Sequence, residues 1–70
     1  MNEIKFKQAM LEHHDTQTSL ADAMGLPQSA ISQRVTGKVD FRQTEINFII
    51  QRYELTADQV REIFFDRQVS

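Results

Sequence analysis

The apolar residues of this 70-residue chain fall in short bursts three and four positions apart, the spacing of one face of an α-helix. From Asn2 to about His13, Ile4, Phe6, Ala9, Met10 and His13 recur near that period, with Lys5 and Glu12 between them. The pattern predicts a supporting helix. A second predicted helix starts after Asp15 or Thr16, either of whose side-chain oxygens suits a free N–H of the first turn. It runs to Met24, with Leu20, Ala21 and Met24 on one face. Gly25 tolerates the left-handed backbone that ends a helix, Leu26 fills the corner, and the φ of Pro27 is preset for the start of a third helix. That helix is predicted from Gln28 to about Thr36, stopped by Gly37, with Ile31 and Val35 inward.

Lys38 to Gln43 reads as a loop with Phe41 tucked beneath it. A fourth helix, its start poorly marked, turns Ile46, Ile49, Ile50 and Tyr53 inward. The fifth has the clearest start: Thr56 and Gln59 form a capping box, Leu55 and Val60 a hydrophobic staple, and helix follows from Ala57 to about Phe65. No internal repeat or linker is visible, so residues 1–70 read as one all-α domain of five short helices. The Met1 start is read as that of a complete small protein.

Such a chain buries only about 60% of its unfolded surface, and with no cysteine neither disulfides nor a thiolate metal site can supplement the core. Helix packing must hold it. No apolar run reaches the roughly 18 residues of a membrane span, and no secretory signal is present, so the chain reads as soluble and cytoplasmic.

The third helix carries polar residues with no core to serve. With Gln28 at zero on a helical wheel, Ser32 falls near ~40°, Thr36 near ~80°, Ser29 near ~100° and Gln33 near ~140°, whereas Ile31 and Val35 lie around ~320°. A solvated face would favour Glu and Lys; Ser, Thr and Gln are uncharged two-way hydrogen bonders suited to base edges. Glutamine can pair with adenine N6 and N7, and serine can meet donors or acceptors. A helix, a three-residue turn with glycine and a second short helix describe a helix-turn-helix, whose second helix enters the DNA major groove. Ala21, four residues before Gly25, is the small residue that the helix crossing needs.

The stretch Gln17 to Gly37, QTSLADAMGLPQSAISQRVTG, resembles the helix-turn-helix of lambda-repressor-like regulators of the Xre and Cro type, including phage repressors. The match comprises the initial Gln17, Ala21, Gly25, Leu26, the Gln28–Ser29 pair and Ile31. The resemblance implies a five-helix lambda-repressor-like fold in which Gln17 holds a phosphate and braces Gln28, while Gln28, Ser29, Ser32 and Gln33 read bases. Lys38 would contact the DNA backbone beyond the recognition helix, and Arg34 and Thr36 are placed with the phosphate contacts. Two residues depart from the family pattern: Asp15, where an apolar residue or glycine is usual, and Pro27, where a serine-like cap is usual. An acid at Asp15 would oppose phosphate.

The net charge of −2 is unusual for a nucleic-acid binder. Its distribution matters more. Residues 28–42 carry Arg34, Lys38 and Arg42 against Asp40, a net +2, whereas residues 54–66 carry Arg61 against Glu54, Asp58, Glu62 and Asp66, a net −3. So few cations imply weak binding by one copy, and a homodimer on a double-stranded operator is expected, with Phe64 and Phe65 as candidate interface residues. The same acidity supports a second expectation: a modulator or antirepressor that grips a partner repressor instead of DNA.

Catalysis is not expected. His13 and His14 are adjacent and cannot chelate from one helical face, and Glu54, Asp58 and Glu62 form a stripe suited to solvent. No phosphate loop, nucleophile with a partner base or zinc spacing is present, so no cofactor, metal or small-molecule ligand is expected. Phe6, Met10, Phe41, Phe48 and Tyr53 are assigned mostly to the core.

Overall fold

The computed structural model describes residues 1–65. Five helices make up the fold, α1 (Glu3–Glu12), α2 (Gln17–Met24), α3 (Gln28–Val35), α4 (Gln43–Arg52) and α5 (Ala57–Phe64), with no strand among the described residues. Local chemistry sets most of their ends. Thr16 caps α2, its Oγ1 accepting from the Ser19 N–H at 3.1 Å while Ser19 Oγ accepts from the Thr16 N–H at 3.0 Å. Thr56 and Gln59 make the same reciprocal pair at the start of α5, at 3.2 and 2.9 Å. The unmarked start of α4 has its own device: Glu45 Oε1 accepts from the Arg42 N–H at 2.9 Å. Pro27 precedes α3 at φ −62° and supplies no side-chain cap.

The chain repeats an architecture that its side chains conceal. A ten-residue helix, a four-residue connection and an eight-residue helix occur at residues 3–24 and again, shifted by 40 positions, at 43–64. Both connections turn through a left-handed residue that is not glycine, His14 at φ 53° and Glu54 at φ 49°. Both close on the same backbone bond, Asp15 N–H to the Met10 carbonyl at 2.8 Å and Leu55 N–H to the Ile50 carbonyl at 3.0 Å. The repeat resides in backbone geometry, and of the cap residues only Thr16 and Thr56 coincide, which is why the sequence shows none. Helix α3 stands between the two halves.

The core draws on every helix: Phe6, Leu20, Ile31, Val35 and Ile49 are fully buried, joined by Ala21, Tyr53 and Ile63. Phe6 lies at the centre of an aromatic cluster, its ring centroid 5.5 Å from Phe41 and 6.1 Å from Phe64. Phe41 is therefore tucked under its loop. The Asn2 N–H donates to the Ile63 carbonyl at 2.7 Å and ties the start of α1 to α5.

Two large apolar side chains lie outside the core. Ile4, expected inward, is 72% exposed, because the core side of α1 is already occupied by Phe6, Ala9 and Met10. Phe48, one of the five large apolar residues assigned mostly to the core, lies at the surface, since Ile46 and Ile49 take the inner face of α4. Helix α3 is also one residue shorter than expected: Thr36 is its C-cap, and Gly37 follows at φ 87°. No helix among the described residues is long and apolar enough to cross a membrane.

Candidate nucleic-acid interface

Helix α3 packs against α2 through its apolar side and presents its polar side to solvent. The contact requires a small residue on α2, and Ala21 is buried there. The turn between the two helices has Gly25 at φ 71°, a left-handed conformation unfavourable to any residue with a Cβ, and closes with the Leu26 N–H on the Ala21 carbonyl at 2.9 Å. Of the polar side chains of α3, Gln28, Ser29 and Gln33 are exposed and Ser32 is half-buried. Among the described residues, these four side chains engage no hydrogen-bond partner. Gln17, half-buried at the start of α2, likewise has an unengaged amide.

The cations divide sharply. Lys5 pairs with Glu62, Lys7 with Glu3, Arg34 with Glu45, Arg52 with Asp15 and Arg61 with Asp58. Among the described residues, Lys38 and Arg42 form no ion pair, and both lie in the segment that follows α3. Lys38 therefore keeps the free charge expected of it. Arg42 likewise forms no ion pair, although its charge acts on the neighbouring Glu45 carboxylate and helps to hold that group below its ordinary value.

Two expected phosphate ligands are placed differently. The Arg34 side chain is only 11% exposed, its Nε donating to Glu45 Oε1 at 3.0 Å and its Nη1 to the Ala30 carbonyl at 3.0 Å. Its charge is compensated within the fold, so the phosphate role expected of Arg34 is withdrawn. Thr36 is exposed, but its hydroxyl donates to the Ser32 carbonyl at 2.9 Å and its N–H to the same carbonyl at 3.0 Å. That leaves Thr36 no free donor for a phosphate oxygen. Burial raises the carboxyl pKa of Glu45, but the Arg42 N–H and the Arg34 guanidinium outweigh it and hold the group below its ordinary value.

Asp15 is corrected as well. Its side chain is 5% exposed and lies against Arg52, with Nε to Oδ2 at 2.9 Å and Nη2 to Oδ1 at 3.1 Å. The Tyr53 hydroxyl donates to Oδ2 at 2.5 Å, and the Ser19 hydroxyl donates to Oδ1. The Arg52 bonds, opposed by burial and assisted by Ser19 and Tyr53, push the Asp15 pKa well below the usual carboxylate range. Burial and the bond to Asp15 push the Tyr53 phenol up. Asp15 thus faces a cation of its own chain and offers no open negative charge to phosphate. The ring of His13, the C-cap of α1, stacks on Tyr53 with centroids 5.1 Å apart.

At the end of α5 the adjacent phenylalanines separate. Phe64 packs edge-on to Phe6 and Phe41 and is half-buried, whereas Phe65 is 58% exposed. Phe65 borders a groove whose walls include Met1, Phe41, Ile46 and Phe64. Of the two expected interface residues, Phe65 is therefore surface and Phe64 its support.

A family model described as a protein of unknown function, DUF739, matches residues 4–67. The chain belongs to that family. The match takes in all of α2 and α3 and almost all of α1, so the polar face and the Lys38–Arg42 segment lie within the DUF739 region. No curated protein and no solved structure matches the chain.

Proposed function

We propose that this DUF739 protein is a small transcriptional regulator that binds operator DNA through a helix-turn-helix, α2 and α3, within a lambda-repressor-like fold. The observation that carries this reading is the unengaged, uncharged polar face of α3, with the two unpaired cations, Lys38 and Arg42, in the segment directly after it. Uncharged donors and acceptors suit base edges, and cations suit phosphates; the two sets lie next to one another in the chain. In this reading α3 occupies the major groove, with Gln28, Ser29, Ser32 and Gln33 towards the bases and Gln17, Lys38 and Arg42 towards phosphates. The protein acts in the cytoplasm, on the nucleoid, and represses by covering a site that polymerase needs.

Two cations per copy are few, so useful affinity requires two copies on adjacent half-sites. Exposed Phe65 and its groove form the proposed contact between copies. Phe65→Ser should then leave helicity unchanged and abolish the dimer in sedimentation; a dimer retained by this variant excludes that surface.

The test of the reading is fluorescence anisotropy with a duplex enriched from random sequence by the protein itself, against a scrambled duplex, at two salt concentrations. Specific binding that weakens with salt supports it. Equal, weak binding of both duplexes refutes it and favours a modulator that grips a partner repressor. That second reading draws on the net charge of −2 and on the internal pairing of most described cations.

A further inference from the structure

Glu45 closes a loop. Its Oε1 accepts both from Arg34 Nε in the last turn of α3, at 3.0 Å, and from the backbone N–H of Arg42, the residue before α4, at 2.9 Å. One carboxylate oxygen therefore joins the two ends of segment 36–42. The bond of Arg34 Nη1 to the Ala30 carbonyl orients the guanidinium along α3, so that the clasp fixes direction as well as distance. The segment is also folded onto α3 from within, with the Lys38 N–H at 2.9 Å and the Val39 N–H at 3.2 Å from the Gln33 carbonyl. It carries Lys38 and Arg42, the described cations without an ion pair.

The energetics explain why a pair this dry is informative. The Arg34 and Glu45 side chains are 11% and 12% exposed, and removing two charges from water consumes much of what their attraction returns. Stability alone is a poor reason for such a pair. Geometry is a better one: Gln33, on the polar face, and Arg34, on the clasp, are consecutive residues, so any tilt of the last turn of α3 moves both. Phosphate contacts fix the register from which base contacts are read, and their value depends on being held relative to the reading face.

We propose that Glu45 is a positioning residue for sequence recognition, holding Lys38 and Arg42 in a fixed place relative to Gln28, Ser29, Ser32 and Gln33. The inference rests on the DNA-binding reading. Glu45 touches no base or phosphate itself; it acts through the segment it closes. Breaking the clasp leaves both free cations in the chain, so non-specific attraction survives while register is lost.

The test is a double-mutant cycle read on the enriched and the scrambled duplexes. Glu45→Met, which keeps the length and removes both the charge and the accepting oxygen, should weaken binding to the enriched duplex by about five- to tenfold and change binding to the scrambled duplex by less than about twofold. In a Lys38→Gln, Arg42→Gln background the same change should have almost no effect on the ratio of the two affinities. An equal loss of discrimination in both backgrounds overturns the proposal, because the role of Glu45 would then be to hold the fold alone. Circular dichroism at the assay temperature checks that each variant is helical. Should Glu45→Met fail to fold, Arg34→Lys, which keeps the charge but loses the Nε donor, is read in the same cycle with the same expected pattern. A wild-type protein that enriches no duplex overturns the DNA reading and this inference with it. That outcome is distinguishable because it appears before any Glu45 variant is made.

Discussion

The carboxylate of Asp15 and the guanidinium of Arg52, 37 positions apart in sequence, meet through two hydrogen bonds of 2.9 and 3.1 Å. This pair joins the connection before α2 to the end of α4, and thereby one half of the repeated architecture to the other. With Tyr53 and Ser19 on the same carboxylate, Asp15 becomes the acceptor on which the entry to α2 is set.

The first prediction concerns acid. Asp15 has a folded-state pKa held below its ordinary value of 3.8, mainly by the Arg52 bonds. A depressed carboxylate contributes stability that is present in full above the unfolded value and is lost as pH falls through it towards the folded one. Stability should therefore decline below about pH 4, the ordinary aspartate value. Asp15→Asn should lower stability at neutral pH by about 2 kcal/mol, the scale of hydrogen bonds to a charged group, and flatten the acid limb. Urea unfolding at a series of pH values checks both, and an acid limb unchanged by the substitution would exclude Asp15 as its source.

The two non-glycine residues in left-handed conformation should be improvable. His14 and Glu54 each bear a Cβ where the backbone disfavours one. His14→Gly and Glu54→Gly should each raise stability by about 1 kcal/mol, and their effects should add, since they lie in separate connections. Urea midpoints of the single and double variants test this. Loss of stability in both singles would mean that the wild-type side chains contribute more than the strain costs.

The crossing of α2 and α3 should resist enlargement. Ala21 is 2% exposed where the helices pack, and Ala21→Leu should overpack the site and cost about 1 to 3 kcal/mol. Thermal unfolding checks it. Equal stability of the variant would show that the contact has room which the structure denies.

On DNA, the distribution of cations predicts a shallow salt dependence. With Lys38 and Arg42 as the free cations near α3, the logarithm of affinity should fall with the logarithm of salt at a slope of about −2 per protomer, or about −4 for a dimer. Replacing both by Ala should remove most of that slope for every sequence. Gln28→Ala with Gln33→Ala should leave slope and far-UV helicity unchanged and erase the preference for the enriched duplex over the scrambled one. Discrimination retained by that double variant would exclude the base-reading role.

Much of the fold was legible from local chemistry. The Thr56–Gln59 box, Gly25 with Leu26, and the spacing of Ile31 and Val35 are interactions within a few residues, so the sequence itself displays both partners. The polar face of α3 was legible for the same reason, since helical periodicity alone decides which residues oppose the apolar seam. The outward Ile4 and Phe48 were not, because periodicity marks apolar positions without saying which of two apolar faces will meet the core.

What the sequence determined by itself is the order of five helices, their caps, and the set of uncharged polar residues on α3. The tertiary structure alone decided which charges are free. Asp15 meets Arg52 and Arg34 meets Glu45 only because the helices that carry them pack together, at separations of 37 and 11 positions. An ion pair depends on distances of a few ångströms between side chains, and sequence separation says nothing about those until the backbone has brought the partners together. The same packing turned Phe64 inward and left Phe65 outside, a choice between neighbours that composition and spacing alone leave open.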